Sequence, residues 1–316
     1  MSDTARALKL SKDLTAQIGS VFVGSGQIIH NLLIGFFGGM HVLIEDIPGV
    51  GKTTLAVSLA RSTGLDFGRI QFTPDILPGD ILGMTVWSVE KRDFVFKAGA
   101  IMHQFILADE INRASARTQS ALLEAMQEER TTVDGITHEL PRPFFVIATQ
   151  NPVSFTGTFL LPESQADRFG VSFSIGYPYP ENEVTILERF SESNPLADIA
   201  PVSDAAEILS LRSLVGGIHV ERSVKDFIVR IAAATRDNRR IKLGVSPRGT
   251  QHLLRAAQTE ALLQGRDFVI PEDVVRVLPL VVPHRIVLSG EAKMENLGAD
   301  AVIQEIVSRI PLPTGV

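Results

Sequence analysis

His41-Val42-Leu43-Ile44-Glu45-Asp46-Ile47-Pro48-Gly49-Val50-Gly51-Lys52-Thr53 reads as an apolar strand, a glycine-rich turn and the start of a helix that continues to about Ser62. A strand–loop–helix unit of this kind opens a parallel α/β sheet. Gly-Lys-Thr in that setting marks a phosphate-binding loop. The glycines let backbone N–H groups turn inward onto phosphate oxygens. The following helix presents its positive N-terminus to the same anion. Pro48, Gly49, Val50, Gly51, Lys52, Thr53 and Thr54 are the expected nucleotide-binding set, with ATP and Mg²⁺ as cofactors. Lys52 would reach the β- and γ-phosphates, and the Thr53 hydroxyl would ligate the metal. The loop departs from the usual pattern at Asp46, where glycine is customary. Asp tolerates left-handed backbone better than most residues, and its carboxylate must point away from the phosphates.

Outward from the loop, three more strands are predicted, at Arg69–Phe72, Gln104–Ala108 and Phe144–Ala148. The last two are apolar throughout, as strands buried on both faces are. Ser115 to Glu128 lies between them with apolar residues at helical spacing, so a doubly wound sheet follows. Phe105-Ile106-Leu107-Ala108 ends in Asp109-Glu110, which delivers two carboxylates to the ligand-binding edge of the sheet. Asp109 is the expected Mg²⁺ residue, and Glu110 the base that deprotonates the attacking water. Asn151 follows the next buried strand. It reads either as a group that positions water or as the start of an Asn151-Pro152 turn. Arg168, in Asp167-Arg168-Phe169, reads either as a surface arginine or as a cation for transition-state charge. Ser246-Pro247-Arg248 is a helix start, with Ser as N-cap and Pro in the first turn. Arg248 there opposes the helix dipole unless an anion compensates, so it is a solvated arginine or a phosphate sensor.

Two insertions read as β-hairpins: Met84 to Phe96, and Thr131 to Leu140 around the turn dipeptide Asp134-Gly135. The segment before the loop, Leu14 to Phe37, reads as helix, turn, helix around Gly24. After Tyr177-Pro178-Tyr179-Pro180 only helices are predicted, at Glu181–Glu192, Ser203–Leu214, Ser223–Asn238, Pro247–Gln264 and Pro271–Leu278. The proline-marked boundary divides an α/β ATPase core, residues 1–180, from an all-α lid, residues 181–316.

Composition narrows the function classes. The chain has 316 residues and is 45% hydrophobic, enough to bury a sizeable core. Acidic residues outnumber Lys plus Arg by 36 to 30, which argues against sequence-blind nucleic-acid binding. Cysteine is absent, so disulfides and thiolate metal sites are excluded. No apolar stretch suits a signal core or a membrane span, and a soluble cytoplasmic protein is expected.

The run Asp109-Glu110-Ile111-Asn112-Arg113-Ala114, followed by Thr118 to Glu128, resembles the MoxR family of AAA+ ATPases. So do Phe72-Thr73-Pro74-Asp75, Ala148-Thr149-Gln150-Asn151-Pro152, and Leu161-Pro162-Glu163 with Asp167-Arg168-Phe169. The similarity spans roughly Val23 to Leu280, and relatives often carry a non-glycine where Asp46 stands. The resemblance implies a P-loop NTPase core with β-hairpin insertions and a helical lid. It implies Asn151 as sensor 1, Arg168 as arginine finger and Arg248 as sensor 2. Arg113 and Arg117 would lie in the helix facing an adjoining subunit, and adenine near Val23 and Gly24, between core and lid. It also implies a homo-oligomeric, hexameric ring acting like a chaperone on client proteins, often with a von Willebrand factor A domain partner. A DNA-associated AAA+ motor is the alternative, against which the net acidity weighs.

Overall fold

A computed structural model describes residues 3–151, 159, 161–192 and 195–313 of the chain. Two helices come first, α1 (Asp3–Val21) and α2 (Gly26–Gly38), with Ser25 capping the second through a bond from Gln27 N. The strand β1 (Val42–Glu45), the phosphate loop and α3 (Lys52–Ser62) follow as read from the sequence. Next are β2 (Phe67–Gln71), the short α4 (Pro78–Leu82) and the first hairpin, β3 (Gly83–Ser88) with β4 (Asp93–Ala98). Then β5 (Phe105–Asp109) leads through a 3₁₀ turn at Ile111–Arg113 into α5 (Ala116–Glu128). The second hairpin is β6 (Arg130–Val133) with β7 (Ile136–Glu139). After it come β8 (Phe145–Gln150), α6 (Glu163–Ala166) and β9 (Val171–Phe173).

Five strands form one parallel sheet in the order β2-β5-β8-β1-β9. Register brings Gln71 beside Asp109, and Val42 between Ile147 and Val171. Because strand side chains alternate, each strand feeds two cores. Val42, Ile44, Phe105, Leu107, Phe145 and Ile147 face α1, α2 and α3. Leu43, Ile106, Ala108, Val146 and Ala148 face α5 and the roots of the hairpins. This is the α/β P-loop architecture expected.

The C-terminal part holds α7 (Pro180–Glu192), α8 (Ala205–Gly217), α9 (Arg222–Arg236), α10 (Pro247–Leu263) and α11 (Pro271–Val281). One feature departs from the helices-only expectation, and two extend the predicted set of helices. β10 (Ile241–Leu243) pairs antiparallel with β11 (Val287–Leu288). Two further helices, α12 (Gly290–Met294) and α13 (Ala299–Ser308), close the described chain. Finally, α11 runs through Pro279 to Val281.

The lid helices are not a separate lump. Leu211, Val215, Phe227, Leu253 and Ala257 belong to the same continuous core as α1, α2 and one face of the sheet. Two arginines rivet the seam at the C-terminus of α2, where helix carbonyls are unpaired. Arg212 donates Nε to Phe36 O (3.0 Å) and Nη1 to Phe144 O (3.2 Å), and Arg255 donates Nε to Gly38 O (3.0 Å). Among the described residues no helix is long and apolar enough to cross a membrane.

Candidate functional site

Gly49 and Gly51 sit at φ 87° and 91°, backbone that a side chain would strain. Asp46 is not left-handed, so its acceptance has a different cause from the one expected. Its buried carboxylate turns away from the loop's concave side and is spent on backbone donors. Oδ1 accepts from Ile47 N (2.8 Å), and Oδ2 accepts from Ile175 N (2.6 Å) and Gly176 N (2.7 Å). The Asp46 carbonyl accepts from Lys52 Nζ at 2.7 Å. Burial pulls the Lys52 pKa down, and the carboxylates of Asp46, Asp109 and Glu110 pull it back up. The parallel pairing of β1, β8 and β5 brings the loop after β1 and the acidic pair at the end of β5 to the same edge of the sheet.

β5 ends as the loop requires. Asp109 Oδ1 accepts from Thr149 Oγ1 at 2.6 Å, and Oδ2 from Arg69 Nη2 at 2.7 Å. The same Thr149 oxygen accepts from Glu110 N at 2.9 Å. Glu110 itself is left-handed, φ 57° and ψ 48°, a costly conformation for a side-chain-bearing residue and one that clusters at functional sites. That kink swings its carboxylate out of the strand. Oε2 then accepts from Arg113 Nη1 (2.8 Å) and Gln71 Nε2 (3.3 Å). Asn151 follows β8 at the same edge, its carbonyl accepting from Asn112 Nδ2 at 3.1 Å. Pro152, the other half of the predicted turn, lies outside the described residues.

A cavity of about 450 Å³ adjoins the loop. Val23 and Gly24 line it with Gly49, Gly51 and Thr54 on one side, and Tyr177 and Tyr179 on the other. This gives a base-sized, partly apolar slot continuous with the phosphate loop. Its outer wall is the segment after β9 and α7, rather than α10.

Arg168 and Arg248 are elsewhere. They share a recess of about 210 Å³ with Met40, His41, Gln127 and His252. This recess lies where β1 begins, whereas the phosphate loop lies where β1 ends. The two arginines thus stand together at the edge of the sheet opposite the chain's own Lys52. Arg248 Nη2 donates to Gln127 Oε1 at 3.3 Å, and Arg168 Nε is buried without a hydrogen-bond partner among the described residues. Burial pushes the His252 pKa down to about 3, helped by Arg285 and Arg248, so its imidazole adds no charge there at neutral pH. Ser246 caps α10 as predicted, accepting from Gly249 N. Arg117 is in the first turn of α5, but Arg113 is in the preceding 3₁₀ turn, because the Ser115 cap starts the helix at Ala116.

Sequence reading missed Arg69, Gln71 and Thr149. Arg69 and Gln71 lie two apart on β2, hence on one face, and pairing β2 with β5 would have aimed both at the acidic pair.

A five-stranded parallel sheet with this loop, this acidic edge and a helical C-terminal region defines an AAA+ ATPase. Comparison agrees. Residues 41–171 match the model for the ATPase family associated with various cellular activities, and residues 233–306 match that for an AAA lid domain. The uncharacterized protein YeaC of Bacillus subtilis is 45% identical, over 94% of this chain and 92% of that protein. Chaperone MoxR1 of Mycobacterium tuberculosis is 38% identical, over 94% of this chain and 81% of that protein. A crystal structure of a candidate ATPase from Cytophaga hutchinsonii superposes with a TM-score of 0.90 at 35% identity, over 98% of this chain and 97% of the other. The chain belongs to the MoxR family of AAA+ ATPases, and it hydrolyses ATP.

Proposed function

We propose that the protein is a ring-forming remodelling ATPase whose catalytic sites are shared between subunits. The observation that carries this reading is the split of the candidate groups. Lys52, Thr53, Asp109, Glu110 and Asn151 gather at one edge of the sheet, and Arg168 and Arg248 line a recess at the other. Neither arginine lies with its own chain's loop, so both serve a neighbour's nucleotide. Arg248, sensor 2 by the resemblance, is thereby read as a sensor acting between chains.

In this reading Gly49 to Thr54 hold the triphosphate, and Lys52 leaves the Asp46 carbonyl for phosphate oxygens. Val23, Gly24, Tyr177 and Tyr179 hold the base. Thr53 and Asp109 suit Mg²⁺, an ion that takes one or two protein oxygens and otherwise keeps water and phosphate. When bound, that ion neutralises charge building on the phosphates. Glu110 takes a proton from the attacking water once released from Arg113 and Gln71. Asn151 orients that water.

The first hairpin supports a client-handling role. Trp87, Phe94 and Val89 stand exposed on it, an apolar tip that a solitary soluble domain rarely maintains. The relative named a chaperone supports the same reading. The residue 1–180 and 181–316 division, a hexameric ring, a cytoplasmic location and a von Willebrand factor A domain partner belong to the same proposal.

The test is a pair of variants. Glu110→Gln should bind ATP as the parent does and lose at least about a hundredfold in kcat, in line with loss of a general base. Lys52→Ala should lose binding itself. Normal turnover by Glu110→Gln would remove Glu110 from its role.

A further inference from the structure

Asp167, Arg168 and Phe169 stand on the ATPase side, between α6 and β9, yet the groups that grip them come from the lid. Ser246 donates its hydroxyl to Asp167, lying 3.0 and 2.9 Å from Oδ1 and Oδ2. Arg285, in the 3₁₀ turn Pro283–Arg285, donates Nε to Asp167 Oδ1 at 3.1 Å and Nη1 to Gly170 O at 3.2 Å. Its Nη2 donates to the Phe169 carbonyl and to His252 Nδ1. His284 Nε2 also meets the Phe169 carbonyl, at 3.1 Å. Residues 167, 169 and 170 are therefore held by the lid, while the Arg168 side chain between them points into its recess.

The Arg285 side chain is sealed from solvent, 0% exposed. A buried guanidinium contributes little net stability over an apolar residue of similar size, because desolvation offsets the attraction. Its distinguishing effect is direction: the planar fork fixes several acceptors at once. Here the acceptors flank one residue on either side. Without the fork, Asp167 keeps only Ser246, the Phe169 carbonyl keeps only His284, the Gly170 carbonyl loses its side-chain donor, and the finger segment is held less firmly.

We propose that Arg285 and Ser246 form a latch that positions Arg168, so that the lid of one subunit governs hydrolysis in the next. This rests on the shared-site reading above. Arg168 reaches the neighbour's phosphates, and Arg285, Ser246 and Asp167 act through it as positioning residues. A lid displaced in one chain slackens the finger offered to its neighbour, while its own phosphate loop, at the other edge, keeps its geometry.

Mixed assemblies of full-length chains separate these roles. Lys52→Ala chains have no working nucleotide site but keep the finger, and Arg168→Ala chains have the site but no finger. A mixture should turn over ATP only at hybrid sites. Adding Ser246→Ala or Asp167→Asn to the finger-donating Lys52→Ala chain should lower kcat of the mixture about tenfold to a hundredfold, the loss typical of a reacting group misplaced by an ångström, with KM for ATP unchanged. Ser246→Thr, which keeps the hydroxyl, should restore it. The same Ser246→Ala change in the Arg168→Ala chain should leave the mixture unaffected, although its effect on the α10 cap is identical there. Equal losses in both placements, or no loss in the finger donor, overturns the latch. An unmodified mixture that never turns over overturns the shared site, and the latch with it.

Discussion

Asp46 ties two exits of the sheet together: the phosphate loop after β1, and the Ile175–Gly176 turn that leads to the tyrosines of the base cavity. Asp46→Ala would strand those two backbone donors, at a cost of about 1–3 kcal/mol for part-buried amides. We expect a melting midpoint lower by a few degrees and a raised KM for ATP, as the Tyr177 side of the cavity loosens; a calorimetric scan and a substrate titration check both. An unchanged midpoint would mean that the amides find other partners. At this scale the sequence was informative where a motif names the residue. Lys52 and the acidic pair were legible because their types and spacing are constrained. Asp46 was legible only as an exception, since nothing local says that its partners lie some 130 residues on, after β9. Thr149 and Arg69 were illegible for the same reason: their partners are set by strand register, not by spacing.

Among elements, the loop between α2 and β1 carries an unusual pH signature. His41 is locked as the neutral imidazole: Nε2 donates to Met126 O (3.0 Å), and Nδ1 accepts from Val146 N (3.1 Å). Burial pushes its pKa down to about 4, the Met126 bond opposes this, and Arg212 adds to it. The unfolded chain then binds more protons than the folded one between about pH 6.5 and 4, so stability is full above that window and drains as pH falls through it. On α10, Glu260 is likewise perturbed. Burial alone would raise its pKa, but bonds from His30 (2.6 Å), Arg276 (2.5 Å) and Gln264 (3.0 Å) hold it at about 2. Its contribution persists above about pH 4.5 and is lost between there and 2. Melting midpoints measured from pH 7.5 to 4.5 should therefore fall, and His41→Gln should flatten that slope while Glu260→Gln leaves it. A slope unaltered by His41→Gln would assign the loss to other groups. Hairpins and long helices were readable here because Asp134-Gly135 and the apolar stripes repeat within one element. β10 and β11 were not, since strands of three and two residues carry no period.

For the whole molecule, the shared core bears on how the lid can move. Sheet, N-terminal helices and lid helices bury one another's apolar side chains, so the chain should unfold in a single cooperative transition. A fragment ending at residue 180 should fail to fold, because the faces of α1 and α2 that meet α8 and α10 would be bared. Two separated calorimetric transitions, or a well-folded fragment, would instead show that the 1–180 and 181–316 parts fold independently. Nucleotide-driven change is then better sought in small sliding of packed helices than in a free hinge.

If sites are shared as proposed, the placement of loop and arginines at opposite ends of the same strands has an arithmetic outcome. Contacts that join unlike ends leave a linear row with one empty pocket at its head and one unused arginine pair at its tail. Such a row always has one fewer working centre than it has members, and a lone chain has none. Specific activity should thus climb with protein concentration and level off as the row lengthens or closes on itself. A specific rate that stays constant on dilution to the single chain would show that each molecule is sufficient unto itself.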